Sequence, residues 1–139
     1  MSDVILTHMK KLYVWDDIKH FLTQSKKYNV PITVANWIVG YPTETQKDFM
    51  EYKKLINFLK ENGSTIITQS TLTCGVNRNS ELLKIVQMDW DRPVHWKSKV
   101  VDLDFNERVK RKQWLTTELQ KINQAIWKPD ISINRLHHG

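Results

Sequence analysis

The chain has 139 residues, 40% of them hydrophobic, a formal charge of +6 and one cysteine, Cys74. That length supports one modest domain, and a single cysteine excludes a disulfide framework. With a mean hydropathy of −0.51, no apolar run approaches the roughly 20 residues of a membrane span. No apolar leader marks a secretory signal, so the expected setting is cytoplasmic.

In chain order, a first helix is expected from Asp3 to Lys11, with Val4, Ile5 and Leu6 apolar and Lys10 and Lys11 suited to its carboxyl end. A second helix from Asp16 to Tyr28 places Ile18, Phe21, Leu22 and Ser25 on its inner face. Ile32 to Val39 is rich in β-branched and aromatic residues and lies between Pro31 and Gly40, the pattern of a strand buried on both faces. Thr45 with Asp48 resembles a capping box. It opens a helix from Gln46 to Glu61 with Phe49, Tyr52, Leu55, Ile56 and Leu59 as its stripe, stopped by Asn62-Gly63.

Ser64 to Leu72 reads as a second, more polar strand. Strand, helix and strand form a right-handed βαβ unit with a parallel sheet. In such folds ligands bind where strands end, which makes Gly40 to Glu44 and Thr73 to Arg78 the site loops. A short helix from Ser80 to Val86 follows, then an extended crossing segment or short strand within Met88 to Asp102. Asp104 with Glu107 opens a long helix to about Ala125, striped by Phe105, Val109, Leu115, Leu119, Ile122 and Ile126. Lys128 to Gly139 reads as a tail.

The segment Ile38-Val39-Gly40-Tyr41-Pro42-Thr43-Glu44-Thr45 followed by Asp48-Phe49 resembles the strand-to-helix segment of radical S-adenosylmethionine enzymes, Ile-x-Gly-Phe-Pro-Gly-Glu-Thr and then acidic-Phe. Upstream, Ser2-Asp3-Val4-Ile5-Leu6 with Met9, Lys10 and Lys11 is similar to the family's Gly-Ser-Asp-x-Val-Leu-x-x-Met-x-Lys. Downstream, Trp96, Asn106, Arg108 and Arg111 resemble the tail of the branch that often carries a cobalamin-binding domain. The resemblance extends from Ser2 to about Asn123. It implies an α/β fold, a partial (β/α) barrel: residues 1–87 as the carboxyl half of the barrel, 88–127 as an extension and 128–139 as a tail.

The resemblance also implies a partial S-adenosylmethionine site, with Ile38 against the adenine, the Gly40 backbone beside it and Glu44 organising the turn. The family's 4Fe–4S cluster sits on Cys-x3-Cys-x2-Cys, since three thiolates hold three irons and leave the fourth for the cofactor. One cysteine is too few, so the chain alone is expected to be inactive, without catalytic or metal residues of its own. Met1 stands where the family has glycine, an expected mid-barrel start with the other half as partner; cobalamin is a further cofactor of that branch.

Each feature has a plainer reading. Gly40 permits the turn and Ile38 fills a core whatever else they do. Asn36 stands where the family often has glycine, and Thr73-Cys74-Gly75-Val76 replaces its Pro-x-Pro-Gly-Thr, which leaves the substrate side of that loop undefined. Cys74 is either a hydrogen-donating thiol or an idle one. His8 and His20 lack partners at metal-ligand spacing, and His137-His138 sit in the tail. Trp90, Trp96, Trp114 and Trp127 suit a barrel-end cover. Arg108, Lys110, Arg111 and Lys112 beside Trp114 raise a second class, a nucleic-acid or acidic-partner module, against which a solvated helix face is the simpler account. An inactive remnant is the third.

Overall fold

The computed structural model describes residues 1–126; Trp127, the expected tail and His137-His138 lie outside the described residues. Two helices come first, α1 (Asp3–His8) and α2 (Trp15–Lys27). Ser2 caps α1 by accepting the Ile5 N–H at 3.4 Å. Asp3 accepts the Trp15 N–H at 2.7 Å and so fixes the start of α2 from the helix before it. The first helix ends at His8, short of Lys11, because the chain turns through Lys10 at φ 58.

Strand β1 (Ile32–Val39) pairs in parallel with β2 (Ile66–Thr73), in a register that sets Trp37 opposite Thr71 and Val39 opposite Thr73. Between them run α3 (Gln46–Met50) and α4 (Tyr52–Asn62), which divide at Glu51 what the apolar stripe describes as one helix. The capping box forms: the Asp48 N–H donates to Thr45 Oγ1 at 3.1 Å and the Thr45 N–H to Asp48 Oδ2 at 3.1 Å. Gly63, at φ 75, donates its N–H to Leu59 O and closes α4. Such a positive φ is a conformation that glycine adopts without a Cβ penalty.

Beyond β2 the short helix expected from Ser80 to Val86 forms as a 3-10 turn, η1 (Glu81–Lys84). Within the segment read as extended, β4 (Lys97–Ser98) pairs antiparallel with β3 (Val86–Gln87), and a second 3-10 turn, η2 (Pro93–His95), precedes it. Helix α5 (Phe105–Ile126) then packs along β2 and against α4. The fold is therefore α/β, a parallel βαβ unit with flanking helices and a long carboxyl-terminal helix. None of the described helices is long and apolar enough to cross a membrane.

The main core joins Leu6, Trp15, Leu22, Trp37, Val39, Leu55, Leu59, Leu115, Leu119 and Ile122. A smaller one gathers Val76, Val86, Trp96 and Leu103.

Three expectations are corrected. The first strand is not buried on both faces: Trp37 and Val39 are buried, while Val34 is 54% exposed on the other side. On α2, Phe21 is 62% exposed, while Trp15 at the start of the helix, which the expected inner face did not include, is buried in the core. Along α5 the buried stripe begins with two arginines, Arg108 at 2% and Arg111 at 3% exposure, ahead of Leu115, Leu119 and Ile122. These two arginines are not part of a solvated basic face; only Lys110 and Lys112 of that cluster are exposed.

Candidate functional site

The loop from Gly40 to Glu44 leaves the carboxyl end of β1 and is held from both ends of the chain. Gly40 turns at φ 73, and a Cβ there would lie 2.6 Å from Arg108 Cγ and 2.7 Å from its Cδ. Glycine is thus required twice, by the backbone and by the arginine stem laid across it. The Gly40 N–H donates to Glu44 Oε1 at 3.1 Å, and the Glu44 N–H donates to Tyr41 O at 2.8 Å, which folds the loop onto itself. Burial pushes the Glu44 carboxyl up from its ordinary value, against the Arg111 hydrogen bond and the Gly40 N–H that favour the carboxylate.

From the carboxyl-terminal side, Ser98 Oγ donates to Pro42 O at 2.7 Å, and Arg111 Nη1 donates to Glu44. The Arg108 guanidinium lies 3.6 Å from the centre of the Trp96 ring, a cation–π stack, and its Nη2 donates to Val94 O at 2.9 Å and to Trp96 O at 2.7 Å. Burial lowers the Arg108 pKa to about 10. From the amino-terminal side, Tyr41 Oη donates to His8 O at 3.0 Å, and His8 Nδ1 meets Thr43 Oγ1 at 2.6 Å. Ser2 Oγ donates to Asp48 Oδ1 at 2.9 Å and ties the first helix to the capping box of α3.

Above this frame, at the ends of both strands, lies a cleft of about 370 Å³ walled by Ile38, Tyr41, Leu72, Cys74, Lys10 and Lys11. Ile38 is half-buried and its carbonyl accepts the Tyr52 hydroxyl at 2.5 Å, so its backbone is fixed while its side chain faces the cleft. Cys74 donates its N–H to Val39 O at 2.9 Å and accepts the Trp96 indole N–H on its carbonyl at 3.3 Å, which binds the second site loop to the first strand and to the extension. Burial pushes the Cys74 thiol up to about 11, with Arg108 opposing the shift and Glu44 reinforcing it.

The three expected cofactor residues therefore divide. Ile38 lines the cleft; Gly40 and Glu44 lie buried beneath it and shape the loop. Tyr41 and Cys74 fall within the two expected site loops, whereas sequence reasoning missed Leu72, Lys10 and Lys11 as cleft walls and Ser98 as a loop contact. Arg108 and Arg111 were legible in principle, because they continue the helical phase of Leu115, Leu119 and Ile122. A larger depression of about 730 Å³ lies between the starts of α3 and α5, lined by Thr45, Gln46, Val101, Asp102, Asp104 and Glu107 among others.

The donor set does not fit an iron-sulfur cluster: Cys74 is alone in the sequence, and among the described residues no three His, Cys, Asp or Glu side chains gather to hold a metal. Ile38 and Leu72 present apolar surface to the cleft at the strand ends.

Over 63 residues the chain is 38% identical to the ribosomal protein uS12 methylthiotransferase RimO of Hydrogenobaculum sp. (strain Y04AAS1), covering 44% of this chain and 15% of that protein. Over 60 residues it is 37% identical to the tRNA-2-methylthio-N(6)-dimethylallyladenosine synthase of Lawsonia intracellularis (strain PHE/MN1-00), covering 42% of this chain and 13% of that protein. Both relatives are radical S-adenosylmethionine enzymes, so the resemblance holds at that level over part of the chain. Neither name supports the cobalamin branch. No family model and no solved structure matches.

Proposed function

We propose that this chain supplies the adenine shelf and one wall of the substrate cavity to a radical S-adenosylmethionine enzyme of the methylthiotransferase kind. The cluster would be held by polypeptide outside these 139 residues. The observation that carries the reading is the cleft at the paired strand ends, where Ile38 and Leu72 face outward above a loop locked by Gly40, Glu44 and Arg111. In this reading Ile38 packs against the adenine, the Gly40 backbone runs beside it and Glu44 holds the turn. S-adenosylmethionine, when bound to a reduced cluster, supplies a radical by reductive cleavage; this chain's part is to orient the nucleoside and exclude water.

The test is anaerobic. Mixed with, or joined to, a polypeptide of the same genome that carries Cys-x3-Cys-x2-Cys, the chain should support reductive release of 5′-deoxyadenosine. The variant Ile38→Glu should lower that release at least tenfold while circular dichroism is unchanged. Equal release by the variant, or tight S-adenosylmethionine binding by the chain alone, overturns the reading.

A further inference from the structure

We infer that Trp96 and Arg108 are positioning residues for the strand-end cleft: stacked on each other, they hold the loop after β1 and the loop after β2 at a fixed separation, and so set the gap between the walls Tyr41 and Cys74. That the occupant of this gap is a nucleoside rests on the function proposed above. The sheet itself does not set the gap. Pairing of the two strands runs to Val39 opposite Thr73, and the Cys74 N–H to Val39 O at 2.9 Å is its last rung. Beyond that rung the loops part, Gly40 to Glu44 leading to α3 and Gly75 to Arg78 leading to η1.

Each loop is held by one member of the pair. The Arg108 stem lies against Gly40, so closely that a Cβ there would sit 2.6 Å from Arg108 Cγ. The Trp96 indole N–H donates to Cys74 O at 3.3 Å, and its ring packs with Val76 in the smaller core. The two members are then joined to each other twice. The guanidinium lies 3.6 Å from the Trp96 ring centre, and Nη2 donates to Trp96 O at 2.7 Å. A shift of either loop has to break this stack or carry the other loop with it.

Stability alone does not account for an arginine at this place. Leu115, Leu119 and Ile122 fill the same stripe of α5 with apolar side chains. Arg108 is as buried as they are, and its Nε has no hydrogen-bond partner among the described residues. A buried charge costs desolvation that an apolar side chain of similar volume avoids. What arginine brings is a long stem ending in a flat, delocalised cation, which lies along Gly40 and stacks face-on against an indole. Lysine offers the stem and the charge without the plane.

Cys74, the single thiol, reports the clamp in the chain alone. Trp96→Phe keeps a ring against Arg108 but loses the N–H to Cys74 O, and Arg108→Lys loses the plane that stacks. Each should speed iodoacetamide alkylation of the folded chain about tenfold, at a rate that stays flat with urea below the unfolding transition, because a loop is released and the fold is not. With a Cys-x3-Cys-x2-Cys polypeptide that supports 5′-deoxyadenosine release, each should raise KM for S-adenosylmethionine about tenfold with little change in kcat, since walls that hold the nucleoside act alike in ground and transition states. The double variant should be little worse than the poorer single one. Alkylation unchanged in both variants, alkylation that rises with urea in step with unfolding, or a loss confined to kcat overturns the inference. If the wild-type mixture releases no 5′-deoxyadenosine, the proposed function falls while urea-independent alkylation still upholds the clamp; release with KM unmoved by either variant upholds the function and removes the clamp.

Discussion

Arg111 grips Glu44 twice, its Nη1 donating at 2.9 Å to the carboxylate and at 2.9 Å to the backbone carbonyl across 67 positions of sequence. Both side chains are buried, at 3% and 2% exposure, and Arg111 Nε also reaches Glu107 at 3.2 Å. A buried pair gains little over an apolar replacement of the whole pair, yet removing one partner strands the other charge. Arg111→Met is therefore expected to cost about 3–5 kcal/mol in urea unfolding. Glu44→Gln, which keeps an acceptor for the Gly40 N–H, should cost less, and the double variant less than the sum of the two. Additive losses would show that the two side chains act independently.

Gly40→Ala probes the other half of the loop. The left-handed backbone costs an alanine about 1–2 kcal/mol, and its Cβ meets the Arg108 stem at 2.6 Å. Overpacking adds about 1–3 kcal/mol. Shortening the stem with Arg108→Ala in the same chain should remove the second contribution and leave the first, so the double variant is expected to fall short of additivity by about that second amount. The measurement is again the unfolding midpoint.

What the sequence made legible is local chemistry. Thr45 with Asp48, Asn62-Gly63 and the β-branched run before Gly40 each specify an element through its own neighbours, and their elements form close to the expected bounds. What it hid depends on distant partners. Arg108 and Arg111 share the helical phase of Leu115, Leu119 and Ile122, but the partners that let their charges be buried, Trp96 and Glu44, come from elsewhere in the chain. Phe21 misleads in the opposite direction: its helical phase calls for burial, and no described element covers it. Ile38 was visible as a strand-end residue, but not the cleft that Leu72, Tyr41 and Lys10 build around it.

Thr45→Ala removes the acceptor of the Asp48 N–H and a hydroxyl that donates to Asp48 Oδ2 at 2.7 Å. Loss of such a cap costs about 1 kcal/mol. Asp48→Ala should cost more, because it also releases Ser2 and with it the tie to α1. Burial opposes ionisation of Asp48, but hydrogen bonds from Thr45 and Ser2 outweigh it and hold the carboxyl below its ordinary value. A depressed carboxyl stabilises the fold above the unfolded pKa and loses that contribution as pH falls through the folded one. Wild type should therefore lose more stability on acidification than Asp48→Ala does; parallel pH profiles would remove Asp48 from the account.

Cys74 offers a pH test in the opposite sense. Burial raises its thiol from the ordinary 9.0 to about 11, so the folded chain holds the proton where the unfolded chain has released it. Between those values the unfolded state binds fewer protons, and stability must fall as pH rises. Cys74→Ser should flatten that part of the profile. Because the thiolate is the reactive form, iodoacetamide at pH 8 should alkylate the folded chain more slowly than the chain in denaturant. Rapid alkylation of the folded chain would mean that the thiol is ionised in the cleft. That outcome would favour a chemical role for Cys74 over the idle one its burial supports.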